Sequence, residues 1–369
     1  MHCASLGEFE QGLPVLQILK SEYPTYKIIV SFFSPSGYEN KKNADIADVV
    51  VYLPIDTSKK AKLFLDAAHP DLILFVKYEI WPNILLEAKK RTIPSLLISA
   101  TFRKNQSYFK WYGSLMRKTL FTFEHIFTQD ENSARLIKNL GFNNVSISGD
   151  TRFDRVSAQL DTDNKINFIE RFIDGKTAIV FGSSWPADDK LFMPFINAKE
   201  IDHQDKKYII APHNIKENYI QEIEDQIHLK VIRYSQMKDK LLSNYNVFIL
   251  DSIGYLSRVY SYADIAYVGG AAGQTGLHNI LEPAVFGVPI LIGENYQKFP
   301  EAVALVNQKG VTSVTTSEEL CLKLKSLIAS KEKREQQGLI NDQFIKENKG
   351  AVIQIAQKIR KLKHKDIFK

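Results

Sequence analysis

Apolar residues recur along this chain in short, nearly unbroken runs, separated by stretches where they return every three or four positions. The runs "YKIIVSFF", "VVVYLP", "DLILFV", "PSLLISA", "HIFTQ" and "VSISG" read as strands. Between them, "TSKKAKLFLDAAH", "WPNILLEAKKR" and "DENSARLIKNLG" read as amphipathic helices. Strands without polar alternation belong in a parallel sheet that helices cover on both faces. The alternation therefore predicts βαβ units and a doubly wound α/β sheet. The rhythm stops over residues 149–165, "GDTRFDRVSAQLDTDNK", a polar stretch without a clean period that reads as a linker. It resumes with "TAIVFGSS", "KYIIAPH", "KVIRY", "NVFILD", "ADIAYVGG", "VPILIG" and "GVTSV". Two successive α/β domains follow, residues 1–155 and 156–345. The chain from about 331 reads as helical and rich in Lys, Glu and Gln. Its last part, 346–369, is set apart as a C-terminal helix with a basic tail, open to packing on either domain.

A length of 369 residues agrees with two cores rather than one. The 48 Lys and Arg against 42 Asp and Glu give a net charge of +6, concentrated in the final "KIRKLKHKDIFK". That balance suits an anionic substrate or membrane surface, and equally an ordinary solvated surface. It is too modest, and too poor in interleaved basic and aromatic residues, for nucleic-acid binding. The two cysteines, Cys3 and Cys321, lie far apart, which argues against a disulfide scaffold or zinc site and fits a reducing compartment. No signal peptide is visible, and no apolar run approaches the roughly 18 residues of a spanning helix.

The candidate chemistry gathers at the carboxyl ends of these strands, where open α/β sheets bind ligands. "SLGEFEQG" puts Glu8 at the start of a helix, as either a first-turn acid or a catalyst. Glu79 in "VKYEIWPN" stands just past "DLILFV" and has the same two readings. "SFFSPSGYE" places a small polar loop, Ser34 to Gly37, at another strand end. Arg152 lies between Asp150 and Asp154, either in a structural ion pair or free to reach a ligand. In the second half, "GSSW" and "APHN" follow strands, and His213 is either a cap or a donor to an anion. Ile253, Gly254 and Tyr255 form a turn before a helix, which suits a phosphate. The glycines at 269, 270, 273 and 276 precede "HNILEPA", where Asn279 and Glu282 at i,i+3 share a face able to read hydroxyls. Chemistry at strand ends in both halves points to a cleft between two domains.

In their order, "CASLGEFEQGLPVL", "SPSGYE", "YEIWPN", "GDTRFDRV" and "GGAAGQTGLHNILEPAVFGVPIL" resemble the 3-deoxy-D-manno-octulosonic acid (Kdo) transferases of lipopolysaccharide assembly. The resemblance runs from residue 2 to about 310. It implies a GT-B fold, two Rossmann-like domains facing across a cleft, and inverting transfer of Kdo from CMP-Kdo to a lipid A precursor, lipid IVA. Carried over position by position, it makes Glu8 the general base, with Glu79 and Arg152 supporting the transition state. Arginine stands where a lysine is usual, which keeps the charge and changes the geometry. It assigns CMP binding to Pro212 and His213, to Ile253–Tyr255, and to Asn279, Ile280, Leu281 and Glu282. "SIGY" departs from the usual "M-G-E-L", so backbone contacts carry over there better than a Tyr255 side-chain contact. No metal or other cofactor is expected, since a single-phosphate leaving group needs no clamping magnesium. Family members begin with a membrane-anchoring helix and a strand leading into "H-x-A-S-x-G-E", and this upstream part is missing here. The expected place of work is the cytoplasmic face of the bacterial inner membrane. The alternatives are another GT-B nucleotide-sugar transferase or epimerase, or a non-catalytic nucleotide-binding protein on the same fold.

Overall fold

The computed structural model describes residues 1–363; the end of the basic tail, residues 364–369, lies outside them. The chain forms two compact units. One is Met1–Arg155 together with the chain from Asn348 onward, and the other is Val156–Glu347.

The first unit is built on seven parallel strands: β1 (His2–Cys3), β2 (Ile29–Phe32), β3 (Val49–Tyr52), β4 (Ile73–Val76), β5 (Ser95–Ala100), β6 (His125–Thr128) and β7 (Val145–Ile147). Their order is β3-β2-β1-β4-β5-β6-β7, so the winding reverses between β1 and β4. The register there is His2 opposite Ser31 on one side and Phe75 on the other. β1 is two residues long beside four-residue neighbours. A cavity of about 420 Å³ opens at its start, lined by Met1, Leu16, Tyr26, Ile29, Leu74 and Ile359 among others. The Met1 ammonium donates to the Ile29 carbonyl at 2.7 Å, and burial lowers its pKa to about 6. Val352, Ile355 and Ile359 of the helix Ala351–Lys363 pack with Phe9, Val15 and Leu16 of the helix Leu6–Glu22 in the core on one sheet face. Asp154 fixes the start of that last helix, accepting from the N–H groups of Gly350 (2.9 Å) and Ala351 (3.1 Å).

The second unit repeats the plan with β8 (Thr177–Ser184), β9 (Lys206–Pro212), β10 (Val231–Arg233), β11 (Val247–Ile249), β12 (Ile265–Val268), β13 (Ile290–Ile292) and β14 (Val311–Ser313). All pairs are parallel, in the order β10-β11-β9-β8-β12-β13-β14, which reverses between β8 and β12. Its core stacks Phe181 on Phe192, with Tyr208, Ile210, Tyr267 and Leu291 packed around them.

Two local readings change. The stretch 149–165 is not an open linker: Thr151–Ala158 is helical, followed by a 3-10 turn at Gln159–Asp161. Its apolar residues are few, but Phe153 and Val156 are three apart and both are buried, so one narrow stripe suffices to dock it. Within "GSSW" the residues "GSS" belong to the strand rather than follow it, because β8 continues to Ser184. Ser183 takes φ 54° and shifts the register, so that Ser184 stands opposite Pro212.

Candidate functional site

In each unit the chemistry lies where the strand order reverses, the place where crossovers diverge to opposite faces and leave a crevice. In the first unit this is the β1/β4 boundary. The chain leaves β1 through Ala4 and Ser5, which is extended (φ −139°), and enters the helix Leu6–Glu22. Glu8 is in its first turn and only 5% exposed, with one carboxylate oxygen accepting from the Ser5 hydroxyl. Gly37 makes room for this start: a Cβ there would lie 2.5 Å from the Phe32 ring and 3.3 Å from the Leu6 nitrogen. The "SPSG" loop is thus the capped start of the helix Pro35–Lys41, with Ser34 Oγ accepting from Gly37 N–H at 3.2 Å.

Across the boundary, Lys77 turns the chain out of β4 at φ 64° and presents Tyr78 and Glu79. Glu79 Oε2 accepts from Trp81 Nε1 at 2.9 Å and lies 3.6 Å from His2 Nε2. The His2 Nδ1 in turn meets Ser31 Oγ at 3.0 Å, and its ring stands edge-on to Trp81 at 5.4 Å. Burial lowers the His2 pKa while Glu79 opposes that effect. Burial raises the Tyr78 phenol, and the charges of Glu8 and Glu79 both push the same way against Arg103. Both carboxylates therefore act on one side chain.

Arg152 is tied to the same helix by a chain of contacts. Its Nε donates to Asp150 Oδ2 at 2.8 Å and its backbone N–H to Asp150 Oδ1 at 2.9 Å. The neighbouring Thr151 hydroxyl donates to the Gln11 carbonyl at 2.6 Å and lies 2.9 Å from Ser99 Oγ. The ion-pair reading of Arg152 holds for Asp150, whereas Asp154 serves the C-terminal helix.

In the second unit the β8/β12 boundary gathers an indole and two imidazoles instead. His213, just past β9, donates its N–H to the Ser184 carbonyl at 2.9 Å. Its ring stacks on Trp185 (centroids 4.5 Å, 24° apart) and faces His278 at 4.4 Å. Trp185 Nε1 donates to His278 Nε2 at 3.0 Å. The glycine loop that delivers His278 is held from below by Asp188, which accepts from Tyr267 OH (2.7 Å), Gly270 N–H (2.8 Å) and Trp185 N–H (2.9 Å). Gly270 takes φ 98°, and a Cβ there would sit 2.0 Å from the Gly276 carbonyl oxygen. Asn279 and Glu282 meet through a 3.2 Å hydrogen bond, and Asn279 Oδ1 accepts from Leu281 N–H at 3.2 Å. Asn279 thus precedes the four-residue helix Leu281–Ala284 rather than sharing a face of it. Ile253–Tyr255 stands at the end of β11, two strands from β8. Gly254 takes φ 95°, Ile253 is 83% exposed, and Tyr255 is engaged with Tyr234 OH at 3.1 Å and the Arg258 guanidinium.

Sequence reasoning missed His2, Trp81, His278 and Asp188, and gave Trp185 no role. The one available signal was position, since His2 lies in a strand at an order reversal and the others lie in the segments that follow such strands.

Residues 1–155 match the family profile described as 3-deoxy-D-manno-octulosonic-acid transferase (kdotransferase). The 3-deoxy-D-manno-octulosonic acid transferase of Haemophilus influenzae is 28% identical over 363 residues, 95% of this chain and 84% of that protein. That of Aquifex aeolicus is 27% identical over 336 residues, 90% and 86% of the two chains. By sequence the chain is thus similar to Kdo transferases, through the profile over residues 1–155 and through these relatives over most of its length. Among solved structures, UDP-GlcNAc 2-epimerase from Neisseria meningitidis bound to UDP-GlcNAc aligns over 98% of both chains with a TM-score of 0.66 and 19% identity. MurG from Acinetobacter baumannii aligns over 98% of both with a TM-score of 0.58 and 14% identity. These establish the GT-B fold and nothing further. The matched profile covers the segment that carries Glu8, Glu79 and Arg152.

Proposed function

We propose that this chain is an inverting glycosyltransferase that moves Kdo from CMP-Kdo to a lipid A precursor of the lipid IVA type. The observation that carries the reading is the pair Glu8 and Glu79, which stand just past the adjacent strands β1 and β4 at the order reversal of the segment matching the Kdo-transferase profile. Inversion at the anomeric carbon needs a base that removes the acceptor hydroxyl's proton while the nucleotide leaves from the opposite face. Glu8 is that base, aimed by Ser5 and the helix start. Glu79, held by Trp81, and Arg152, held by Asp150, support the charge that develops during transfer. In the second unit Pro212, His213, the Ile253–Tyr255 turn and Asn279–Glu282 take the CMP moiety. Fixed donors of this kind stabilise a departing phosphate without reorganisation, so the reaction runs without a metal.

The acceptor is a lipid, and the first unit offers a surface suited to a membrane. Trp111 is 90% exposed, Tyr112 62%, Leu115 56% and Phe121 43%, in a segment that also exposes Arg103, Lys104 and Lys118. Aromatic rings with basic neighbours favour an anionic bilayer surface. Among the described residues no helix is long and apolar enough to cross a membrane. This surface supports a place on the cytoplasmic face of the inner membrane, held peripherally or through an anchor outside this chain. Incubation with CMP-Kdo and lipid IVA, with EDTA present and UDP-GlcNAc as the competing donor, tests the reading by product mass. Addition of one or more Kdo residues supports it, and a product formed only from the UDP-sugar overturns it.

A further inference from the structure

The stack of Trp185, His213 and His278 divides two imidazoles into different chemical roles, and no expectation from the sequence covers it. Indole Nε1–H is a donor only, so the 3.0 Å contact with His278 Nε2 makes that nitrogen an acceptor and places the ring proton on Nδ1. His278 cannot take a second proton without giving up Trp185. His213 has no such lock. It lies face to face on the Trp185 ring at 4.5 Å, the arrangement in which an indole stabilises an imidazolium. Two cationic rings 4.4 Å apart would repel, so this pair holds at most one added proton.

The surrounding charges do not decide the matter beforehand. Asp188 is taken by Tyr267, Gly270 and Trp185, and Asp189 by the Tyr219 hydroxyl. Glu217, at the start of the helix after His213, pairs with Arg233, and Glu282 accepts from Asn279. Lys216 is exposed at the same helix start. Burial lowers the pKa of both rings, and His278 is lowered further by His213, to about 4. Both rings are thus neutral at pH 7, donors without a full charge.

We propose that the site binds its phosphate-bearing nucleotide together with one proton, carried by His213 as an imidazolium on the face of Trp185, while Trp185 holds His278 neutral as an Nδ1–H donor. The proton comes from solvent, and the phosphate's negative charge retains it. His213 then meets the leaving phosphate as a cation, and Trp185 is a positioning residue for both rings. This rests on the nucleotide-site reading above and adds its coupling to pH.

Cytidine 5′-methylphosphate is the probe, because a phosphodiester keeps one charge and does not itself titrate between pH 6 and 9. Calorimetric titration of the full chain in buffers of different ionisation heat should show uptake approaching one proton at pH 7.5. The affinity should fall by up to about tenfold per pH unit as pH rises towards the His213 pKa of the complex. Cytidine, which lacks the phosphate, should bind without uptake. In His213→Gln the uptake disappears and the affinity becomes flat with pH. In Trp185→Phe the ring under His213 remains, uptake persists, and ¹⁵N shifts show His278 losing its Nδ1–H preference. Tight binding of the diester with no uptake overturns the proposal and leaves the nucleotide site standing. Absence of diester binding at every pH overturns both. An unchanged His278 tautomer in Trp185→Phe overturns the role given to Trp185.

Discussion

The two units share a sheet plan and put opposite chemistry at the same topological place. At the β1/β4 reversal the groups are carboxylates, Glu8 and Glu79, each held by one neutral donor from a nearby residue, Ser5 or Trp81. At the β8/β12 reversal the carboxylate, Asp188, is buried beneath the loop and spent on backbone and phenol donors. The surface is left to Trp185, His213 and His278. A histidine and a tryptophan flank each reversal, but in opposite relation. In the first unit the indole N–H and the imidazole both turn to a carboxylate. In the second the indole N–H turns to the imidazole, and the carboxylate is withdrawn. On the reading proposed above, one crevice accepts a proton from a neutral nucleophile and the other meets an anion. A transferase that deprotonates a hydroxyl and releases a nucleotide needs both, which is why the comparison carries the functional reading.

The strongest test of this division is Glu8→Gln, which keeps the Ser5 contact and removes the basic oxygen. Loss of a positioned general base costs about 10²–10⁴-fold in rate, so kcat for Kdo transfer should fall by that range while CMP affinity in the second unit stays unchanged. Full activity in Glu8→Gln, with intact CMP binding, would remove the base from the first unit and dissolve the comparison. Next in size is Gly293→Ala, which attacks the second site from beneath. A Cβ there would lie 2.2 Å from the Ala272 nitrogen and 2.3 Å from the Ala271 carbonyl carbon, so the glycine loop must move. Overpacking of this kind costs about 1–3 kcal/mol. Its expected form is a CMP affinity weakened by roughly ten- to a hundredfold, with the first unit's thermal stability untouched. Unchanged affinity would mean that the loop conformation does not matter to nucleotide binding.

The strand runs and their doubly wound order were legible because buried parallel strands carry their own signature, continuous apolar residues between amphipathic helices. Glu79 and His213 were legible as candidates for a related reason, since each stands just past a readable strand, whereas Glu8 follows a two-residue β1 that no apolar run announces and was legible only as an acid at a helix start. What holds them was not legible. Trp185 and His278 are 93 residues apart, and only the placement of β12 beside β8 brings them within reach. Phe153 and Val156 were too sparse a stripe to announce a helix in 149–165, because the burial that stabilises it comes from the surrounding unit. Asp154 looked like a partner for Arg152 on sequence proximity, yet its hydrogen bonds go to Gly350 and Ala351. In each case a long-range contact outweighs the local pattern.

A pH experiment sharpens the comparison on stability. Each unit carries an imidazole whose pKa is lowered to about 4. Burial is the main cause in both, aided by Lys358 at His125 and by His213 at His278. The unfolded chain takes up these protons near pH 6.5, so their contribution is complete above that value and is lost as pH falls from about 6.5 towards 4. Thermal melts at pH 7.5 and 4.5 should show a lower Tm in acid, by about 2–4 °C for each kcal/mol withdrawn. His125→Asn should flatten this acid loss in the first unit and His278→Asn in the second. Equal acid loss in both variants and the parent would place the sensitivity elsewhere.

The smallest expected effect tests whether the indole at the first reversal positions a carboxylate as the indole at the second positions an imidazole. Trp81→Phe keeps the ring beside His2 and Phe33 while deleting the N–H that Glu79 accepts at 2.9 Å. Loss of one such hydrogen bond is worth about 0.5–1.5 kcal/mol, because His2 Nε2 remains 3.6 Å from the same carboxylate oxygen. The expected outcome is a two- to tenfold fall in kcat with KM for CMP-Kdo unchanged, since the donor is held by the second unit. His2→Gln alone should give a loss of similar size. The double variant should exceed the product of the two, because Glu79 then has neither the Trp81 hydrogen bond nor the His2 ring beside it. If the two losses simply multiply, Trp81 and His2 act on Glu79 independently. If neither variant changes kcat, Glu79 does not depend on this cluster for its position, and the parallel between the two reversals ends at the fold.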